Sequence, residues 1–361
     1  MRPHVPLRDS RNSRKFLAVD LFSGCGGLST GLKRAGFVVV GALDNHRLAV
    51  EAYKANHKSV RVWQRDIRQF PAVQMRRELR LRRGRLDLLA GCPPCQAFSS
   101  MRTLNGKRTL RDADKDLLFQ FIRFIKVFRP KAVMIENVPG LAADKRVVRF
   151  CAHLARMGYQ SEVRVLDAAE YGVPQRRRRM ILLANRVGPI RFGRRSRAKS
   201  TVRDAIEKLS SAGKSGDPLH DFSEKRSKEM LDRIKSTPPN GGSRNAWPRR
   251  LRLRCHDECS GFKDVYGRMP WDDVAPTITT GCFNPSKGRF LHPRYHRAIT
   301  MREAALLQGF PRRYKFPQAQ GKVAVAGMIG NALPPPFIAA HARRIRTTLF
   351  SYADRFRSTA A

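Results

Sequence analysis

The stretch Phe16-Leu17-Ala18-Val19-Asp20-Leu21-Phe22-Ser23-Gly24-Cys25-Gly26-Gly27 decides the fold. An apolar run ends in a glycine-rich turn, and Leu28–Ala35 continues it at helical spacing. Glycines let a backbone pass close beneath a ligand, and the helix start offers free N–H groups. The spacing departs from G-x-G-x-x-G, because Ser29 holds the place of the third glycine. Asp44 stands 20 residues after Gly24, just past a second apolar run, Phe37–Leu43. An acid there is placed to bind ribose hydroxyls. Asp66, after Val60–Trp63, is placed to meet an adenine in the same way.

The rhythm continues downstream. His46–Asn56 and Arg146–Met157 read as helices, and Asp116–Phe128 sets Leu118, Phe121, Ile122 and Ile125 on one helical face. Asp87–Gly91, Lys131–Val138, Glu162–Leu166 and Met180–Ala184 read as strands. This alternation predicts an α/β fold, a Rossmann-like, mostly parallel sheet with helices on both faces. After about Arg191 the rhythm fails. Residues 193–275 are rich in Arg, Lys, Ser, Gly and Pro, and predict a smaller irregular lobe. Helical periodicity returns at Thr300–Gln308 and Pro336–Leu349. The expected division is a basic arm (1–15), a main domain (16–192), the lobe (193–295) and a segment returning to the main domain (296–361).

Charge narrows the partner. Lys and Arg number 72 against 29 Asp and Glu, a formal net of +43. Such an excess points to a polyanion, and to nucleic acid before others. No apolar stretch approaches the roughly 20 residues of a membrane helix, so no membrane role is expected. Seven cysteines without framework spacing point to a reduced, cytoplasmic protein.

The chemistry centres on Gly91-Cys92-Pro93-Pro94-Cys95-Gln96-Ala97-Phe98-Ser99-Ser100, directly after a strand. The carboxyl end of a strand is where an open α/β sheet keeps its chemistry. A thiol there is a nucleophile when its surroundings favour the thiolate. Glu136-Asn137-Val138 closes another strand, and a carboxylate at that position needs a partner or a task. In Gln175-Arg176-Arg177-Arg178-Arg179, extended backbone puts Gln175, Arg177 and Arg179 on one face and leaves Arg176 and Arg178 to solvent.

Taken in order, these segments resemble the signature motifs of the DNA (cytosine-5)-methyltransferases. Asp20 to Gly27, Pro93 to Gln96, Glu136 to Val138 and Gln175 to Arg179 match four of them. Arg297 to Pro311 and Gly330-Asn331-Ala332 match two more, so the resemblance spans about residues 16–350. It implies S-adenosylmethionine as cofactor and double-stranded DNA as substrate. Cys95, Glu136, Arg177 and Arg179 would be catalytic. Cys95 would add to carbon 6 of a flipped-out cytosine and so activate carbon 5 for methylation. Phe22, Gly24, Gly26, Asp44, Asp66, Leu118 and Asn331 would hold the cofactor. Gln96, Ser99, Asn137, Gln175 and Thr279 would contact substrate. Residues 97–115 would form a loop closing over the base, and the lobe would recognise the target sequence. The implied enzyme is bacterial in style, acts as a monomer, and has a separate cognate restriction endonuclease as its counterpart.

The chain departs from the family pattern at Cys92, usually glycine, and at Asn45, often aromatic. Cys92 and Cys95 form a C-x-x-C, and Cys255-His256-Asp257-Glu258-Cys259 holds ligand-type side chains. Neither has a second pair at finger spacing, so no metal is expected. Two alternatives share the fold: an RNA (tRNA) cytosine-5 methyltransferase, which Cys282-Phe283 faintly resembles, and a non-catalytic basic DNA-binding protein.

Overall fold

The computed structural model describes residues 14–94, 117–222, 224–254, 263–319 and 321–358. Seven strands are β1 (Phe16–Leu21), β2 (Phe37–Asp44), β3 (Arg61–Gln64), β4 (Leu88–Gly91), β5 (Ala132–Asn137), β6 (Gln160–Asp167) and β7 (Arg178–Asn185). They form one sheet in the order β3-β2-β1-β4-β5-β7-β6. The first five in that order pair in parallel. β7 runs antiparallel to both of its neighbours. The connection from β6 to β7 is too short for the crossover helix a parallel return needs, so the chain doubles back.

The inner strands β1, β4 and β5 are buried on both faces, as a parallel sheet covered by helices requires. Val19, Leu21, Leu89, Val133 and Ile135 point into one layer, against Phe121, Phe124 and Phe128 of the helix Leu117–Phe128. Phe16, Ala18, Leu88, Ala132 and Met134 point into the other, against Leu28 and Leu32 of Gly27–Arg34 and Phe337 and Ile338 of Pro335–Ser358. The period-2 alternation of side chains along each strand sorts these residues to the two faces.

A third cluster joins the lobe to the C-terminal segment. It gathers Val202, Ile206, Met269 and Ile278 with Met301, Leu307, Val325 and Ile329. Thr300 caps the helix Met301–Leu307 in a reciprocal capping box with Glu303. Arg297 grips both oxygens of Glu303 at 2.7 Å.

Four helices escaped the sequence reading. Ala72–Glu78 is a helix that buries only Ala72 and Met75, so its apolar period is too sparse to see. Gly321–Asn331 is a helix apolar on nearly all sides, so it shows no periodic face. The lobe carries two short helices, Val202–Ile206 and Lys228–Ser236, where an irregular segment was expected. One correction concerns length: residues 321–354 do include a stretch long and apolar enough to cross a membrane by composition alone. It comprises two helices interrupted near Leu333 and Pro334, and most of it is buried in the protein.

The crossing of Gly27–Arg34 with Pro335–Ser358 depends on Gly31. A Cβ there would lie 2.6 Å from Ile338 Cβ and 2.7 Å from the Pro335 carbonyl. Helix propensity alone would make Gly31→Ala stabilising by about 1 kcal/mol. Overpacking at this crossing is expected to reverse the sign and cost about 1–3 kcal/mol in urea denaturation. A stabilised variant would show that the crossing is loose.

Candidate active site

A cleft of about 2240 Å³ runs along the carboxyl edge of the parallel strands. After β1 the chain turns sharply. Phe22 takes a left-handed conformation, with φ +57°. A bulky residue is strained there and is held only by its surroundings. Its ring stacks on Phe121 with centroids 6.5 Å apart. Gly24 follows with φ +52°, and a Cβ built on it would meet nothing within 4 Å, so it borders open cleft. The Ser23 hydroxyl beside it is buried and has no partner.

Asp44 closes β2 and fixes this turn. One of its oxygens accepts from the Gly24 N–H at 2.8 Å, the other from the His46 N–H at 2.8 Å. The carboxylate stays half-buried on the cleft wall and keeps acceptor capacity free. Asp66, past β3, also borders the cleft, and Arg68 pairs with it. That pairing holds the Asp66 carboxyl below its ordinary range. Asn331 arrives from the far end of the chain and lies exposed on the same wall.

The opposite part of the cleft is charged and buried. Glu136 ends β5 and is 6% exposed. Arg179 of β7 places its Nε 2.9 Å from Glu136 Oε1. Burial raises the Glu136 carboxyl, and Arg179 and Arg177 oppose that rise. The Cys92 thiol neighbours Glu136, and burial pushes that thiol well above its usual range. Asn137 donates from Nδ2 to the Pro93 carbonyl at 2.8 Å, tying β5 to the turn that leads toward Cys95.

Arg177 borders the cleft, yet two of its nitrogens are committed to the backbone. Nη1 donates to the Ile278 carbonyl at 3.1 Å and Nη2 to the Gly330 carbonyl at 2.8 Å. Its Nε is buried without a partner. Burial and neighbouring Arg179 pull its guanidinium down to about 9. Arg177 therefore holds Thr279 and Asn331, each one residue past an anchored carbonyl, beside β7. A Cβ on Gly330 would lie 2.4 Å from the backbone of Thr279 and Thr280, so those two segments touch through a glycine.

Three expected site residues do not line the cleft. Gln175 is fully buried, its Oε1 accepting from the Ile278 N–H at 2.7 Å and its Nε2 donating to the Leu307 carbonyl at 3.3 Å. It fastens the lobe and the C-terminal segment to the main domain. Gly26 has φ +98°, and its missing Cβ makes room for His57 and the Tyr314 hydroxyl behind the turn. Leu118 turns into the core, and its neighbour Leu117 reaches the cleft instead. Phe22, Gly24, Asp44, Asp66, Glu136, Asn137, Arg177, Arg179, Thr279 and Asn331 all border it. Cys95, Gln96 and Ser99 lie outside the described residues, as do the segment 97–115 and Cys255 to Cys259.

Residues 16–347 match the family described as C-5 cytosine-specific DNA methylase. The chain belongs to this family. The Type II methylase M.HgiDII of Herpetosiphon aurantiacus is 37% identical over 94% of this chain and 97% of its own. The Type II methyltransferase M1.HphI of Haemophilus parahaemolyticus is 33% identical over 88% and 83%. Among solved structures, the S. pombe Dnmt2 methyltransferase superposes with a TM-score of 0.58 at 18% identity, over 94% of this chain and 99% of that one. The last shares the fold, and bears out the Rossmann-like α/β architecture. The protein is thus a DNA (cytosine-5)-methyltransferase.

Sequence reasoning missed several residues that shape this methylase. Arg268 is fully buried and donates to the carbonyls of Thr237, His292 and Ile234 at 2.8–2.9 Å, knitting the lobe together. An arginine in a polar stretch gives no sequence signal of burial. Cys25 and Cys282, inside motif-like segments, are buried thiols pushed up to about 12, so they are packing residues.

Asp20 sits buried beneath the glycine turn. Its Oδ2 accepts from Ser29 Oγ at 2.6 Å, and its Oδ1 has no partner. Burial, with Asp44 nearby, raises its carboxyl to about 7. The folded chain thus keeps a proton that the unfolded chain releases above about pH 4. Asp20's contribution to stability is full below that pH and is lost as pH rises through about 7. At ~1.4 kcal/mol per pK unit the loss is on the order of 4 kcal/mol. Asp20→Asn should gain stability relative to wild type between pH 5 and pH 8 in urea denaturation. A gap that is constant across that range would refute the assignment.

Proposed function

We propose that this methylase modifies a flipped-out cytosine in a specific duplex DNA sequence through a covalent Cys95 adduct, with S-adenosylmethionine as methyl donor. The observation that carries the reading is the buried Glu136–Arg179 pair, which faces the same cleft as the Gly24 turn and Asp44. The first wall suits the cofactor. The free Asp44 acceptor sites would take ribose hydroxyls, Phe22 and the Asp66 loop would flank the adenine, and the unpartnered Ser23 hydroxyl and open space at Gly24 leave room for the amino-acid end. S-adenosylmethionine, when bound, supplies an electrophilic methyl group.

The residues of the other wall would act on the base. Cys95 attacks carbon 6 as a thiolate, which makes carbon 5 nucleophilic. Glu136, its carboxyl raised by burial, would hold a proton at ring nitrogen 3 and accept from the exocyclic amine. Arg179 orients that carboxyl. Loss of the carbon 5 proton and departure of Cys95 restore the aromatic ring. A stacked cytosine cannot reach such a recessed pair, so the base must leave the helix. The lobe, with exposed Arg249, Arg250 and Arg252 around buried Trp247 and Leu251, would recognise the target. The protein would work as a cytoplasmic monomer, and a restriction endonuclease would act separately on the same site.

Base-resolution mapping of 5-methylcytosine on long duplex DNA should return one recurrent motif. Cys95→Ala should abolish transfer and keep DNA binding, while Glu136→Gln should lower kcat by about 10²–10⁴-fold. Full activity in either variant would end the mechanism, and methylation of RNA alone would move the substrate. Gly24→Val should raise KM for S-adenosylmethionine on the order of tenfold, about 1.4 kcal/mol, with kcat nearly unchanged. An unchanged KM would place the cofactor elsewhere.

A further inference from the structure

The edge of the sheet opposite the cleft is also basic, and no part of the reaction uses it. The topology collects its members. Residues before β1, β4, β5 and β6 lie at the amino ends of those strands, and Arg186 follows β7, which runs the other way. Backbone bonds join the loops into one rim: Lys131 N–H to the Leu86 carbonyl at 3.0 Å, Gly84 N–H to Phe128 at 2.8 Å, and Arg186 N–H to Lys131 at 3.1 Å.

Arg82, Arg83, Arg85 and Arg156 are exposed along this rim, and Arg129 and Arg186 are half-buried. The guanidinium groups are held in place. Arg186 donates from Nε to the Pro130 carbonyl at 3.0 Å and from Nη2 to Arg129 at 3.2 Å. Arg83 donates to the Lys126 carbonyl at 3.4 Å and Arg129 to Met157 at 3.5 Å. Each keeps further N–H groups unspent. Among residues 80–87, 126–131, 156–159 and 186, the one acid is Asp87. Lys131 and Arg14 already lie 2.5 and 3.5 Å from it. Cations gathered with so little compensation repel one another and disfavour the compact state.

We propose that this rim binds the phosphate backbone of a second DNA duplex, so that one enzyme bridges two segments. The strands β1, β4, β5, β7 and β6 are neighbours, and at ~4.8 Å per strand the row spans about 19 Å. A duplex presents one charge per ~1.7 Å of axis, so about eleven phosphates face such a length. Single-stranded nucleic acid would ask for exposed rings to stack its bases. These loops hold Phe128 and Tyr159, both buried. The rim therefore suits a rigid, evenly charged rod without sequence readout. The inference rests on the cleft taking one duplex of its own.

The test counts duplexes. A DNA duplex of about 15 base pairs, in excess at low salt, is titrated onto the full chain and the complex mass is read by native mass spectrometry, since phosphate-driven binding is strongest there. Two duplexes per protein are expected. Arg82→Glu with Arg85→Glu should bind one and still methylate a short duplex. Lys54→Glu with Lys58→Glu, exposed and away from cleft, lobe and rim, changes the net charge equally and should still bind two. If the reversal unfolds the chain, Arg82→Gln with Arg85→Gln carries the same comparison, because neither side chain pairs with an acid among the described residues. One duplex on the wild type, two on the rim variant, or rim occupancy by single-stranded RNA in place of duplex overturns the proposal. A wild type that binds two duplexes but methylates neither would count against the cleft reading and leave the rim standing.

Discussion

The site depends on one buried cation. Arg177 stands directly before β7 and donates to carbonyls from two remote segments, at Ile278 and Gly330. A buried guanidinium is costly unless its donors are engaged and a counter-charge is near. Here backbone carbonyls engage Nη1 and Nη2 and Glu136 supplies the counter-charge, while Nε has no partner among the described residues. In return the arginine fixes where Thr279 and Asn331 stand, and so joins three stretches of chain into one cleft wall. Gln175, two residues earlier on the same face, fastens Ile278 and Leu307 by the same means. The arginine-rich run is thus divided by alternation, with its inward members acting as fasteners and Arg176 and Arg178 left outside.

Electrostatics divide the cleft into two working parts. At the glycine turn, carboxylates dominate: Asp44 on the wall and Asp20 beneath it, where burial keeps a proton on the deeper acid. At the β5 and β7 ends, one acid stands among cations. Burial raises the Glu136 carboxyl while Arg179 and Arg177 draw it back. Burial favours the protonated carboxyl and the two arginines favour its charge, so Glu136 is held between the two. The long-range charge of +43 surrounds both parts and serves attraction of DNA over distance.

Much of the fold was legible because its signals are local. Strand runs, the glycine turn and the acid 20 residues later all follow from periods and spacings. The helix Gly321–Asn331 was not, since a helix covered on most sides loses the polar face that reveals it. Ala72–Glu78 failed for the opposite reason, being almost wholly solvated. Within the site, Gly26 and Leu118 were placed at the ligand by their motif, yet the structure turns them inward. Gly26 is there to admit His57 and Tyr314, a packing demand no spacing reveals.

The sequence by itself determined the sheet-and-helix architecture, the family, and the residue types that the chemistry needs, because those are written in short-range patterns. Only the tertiary structure decided which arginine pairs with Glu136, which ones are spent on carbonyls, and that Cys92 neighbours the same carboxylate. It alone brought Arg83, Arg129 and Arg186 onto one rim. These are contacts between segments tens to hundreds of residues apart. Their partners are set by strand order and the return of the C-terminal helices, which no local pattern encodes.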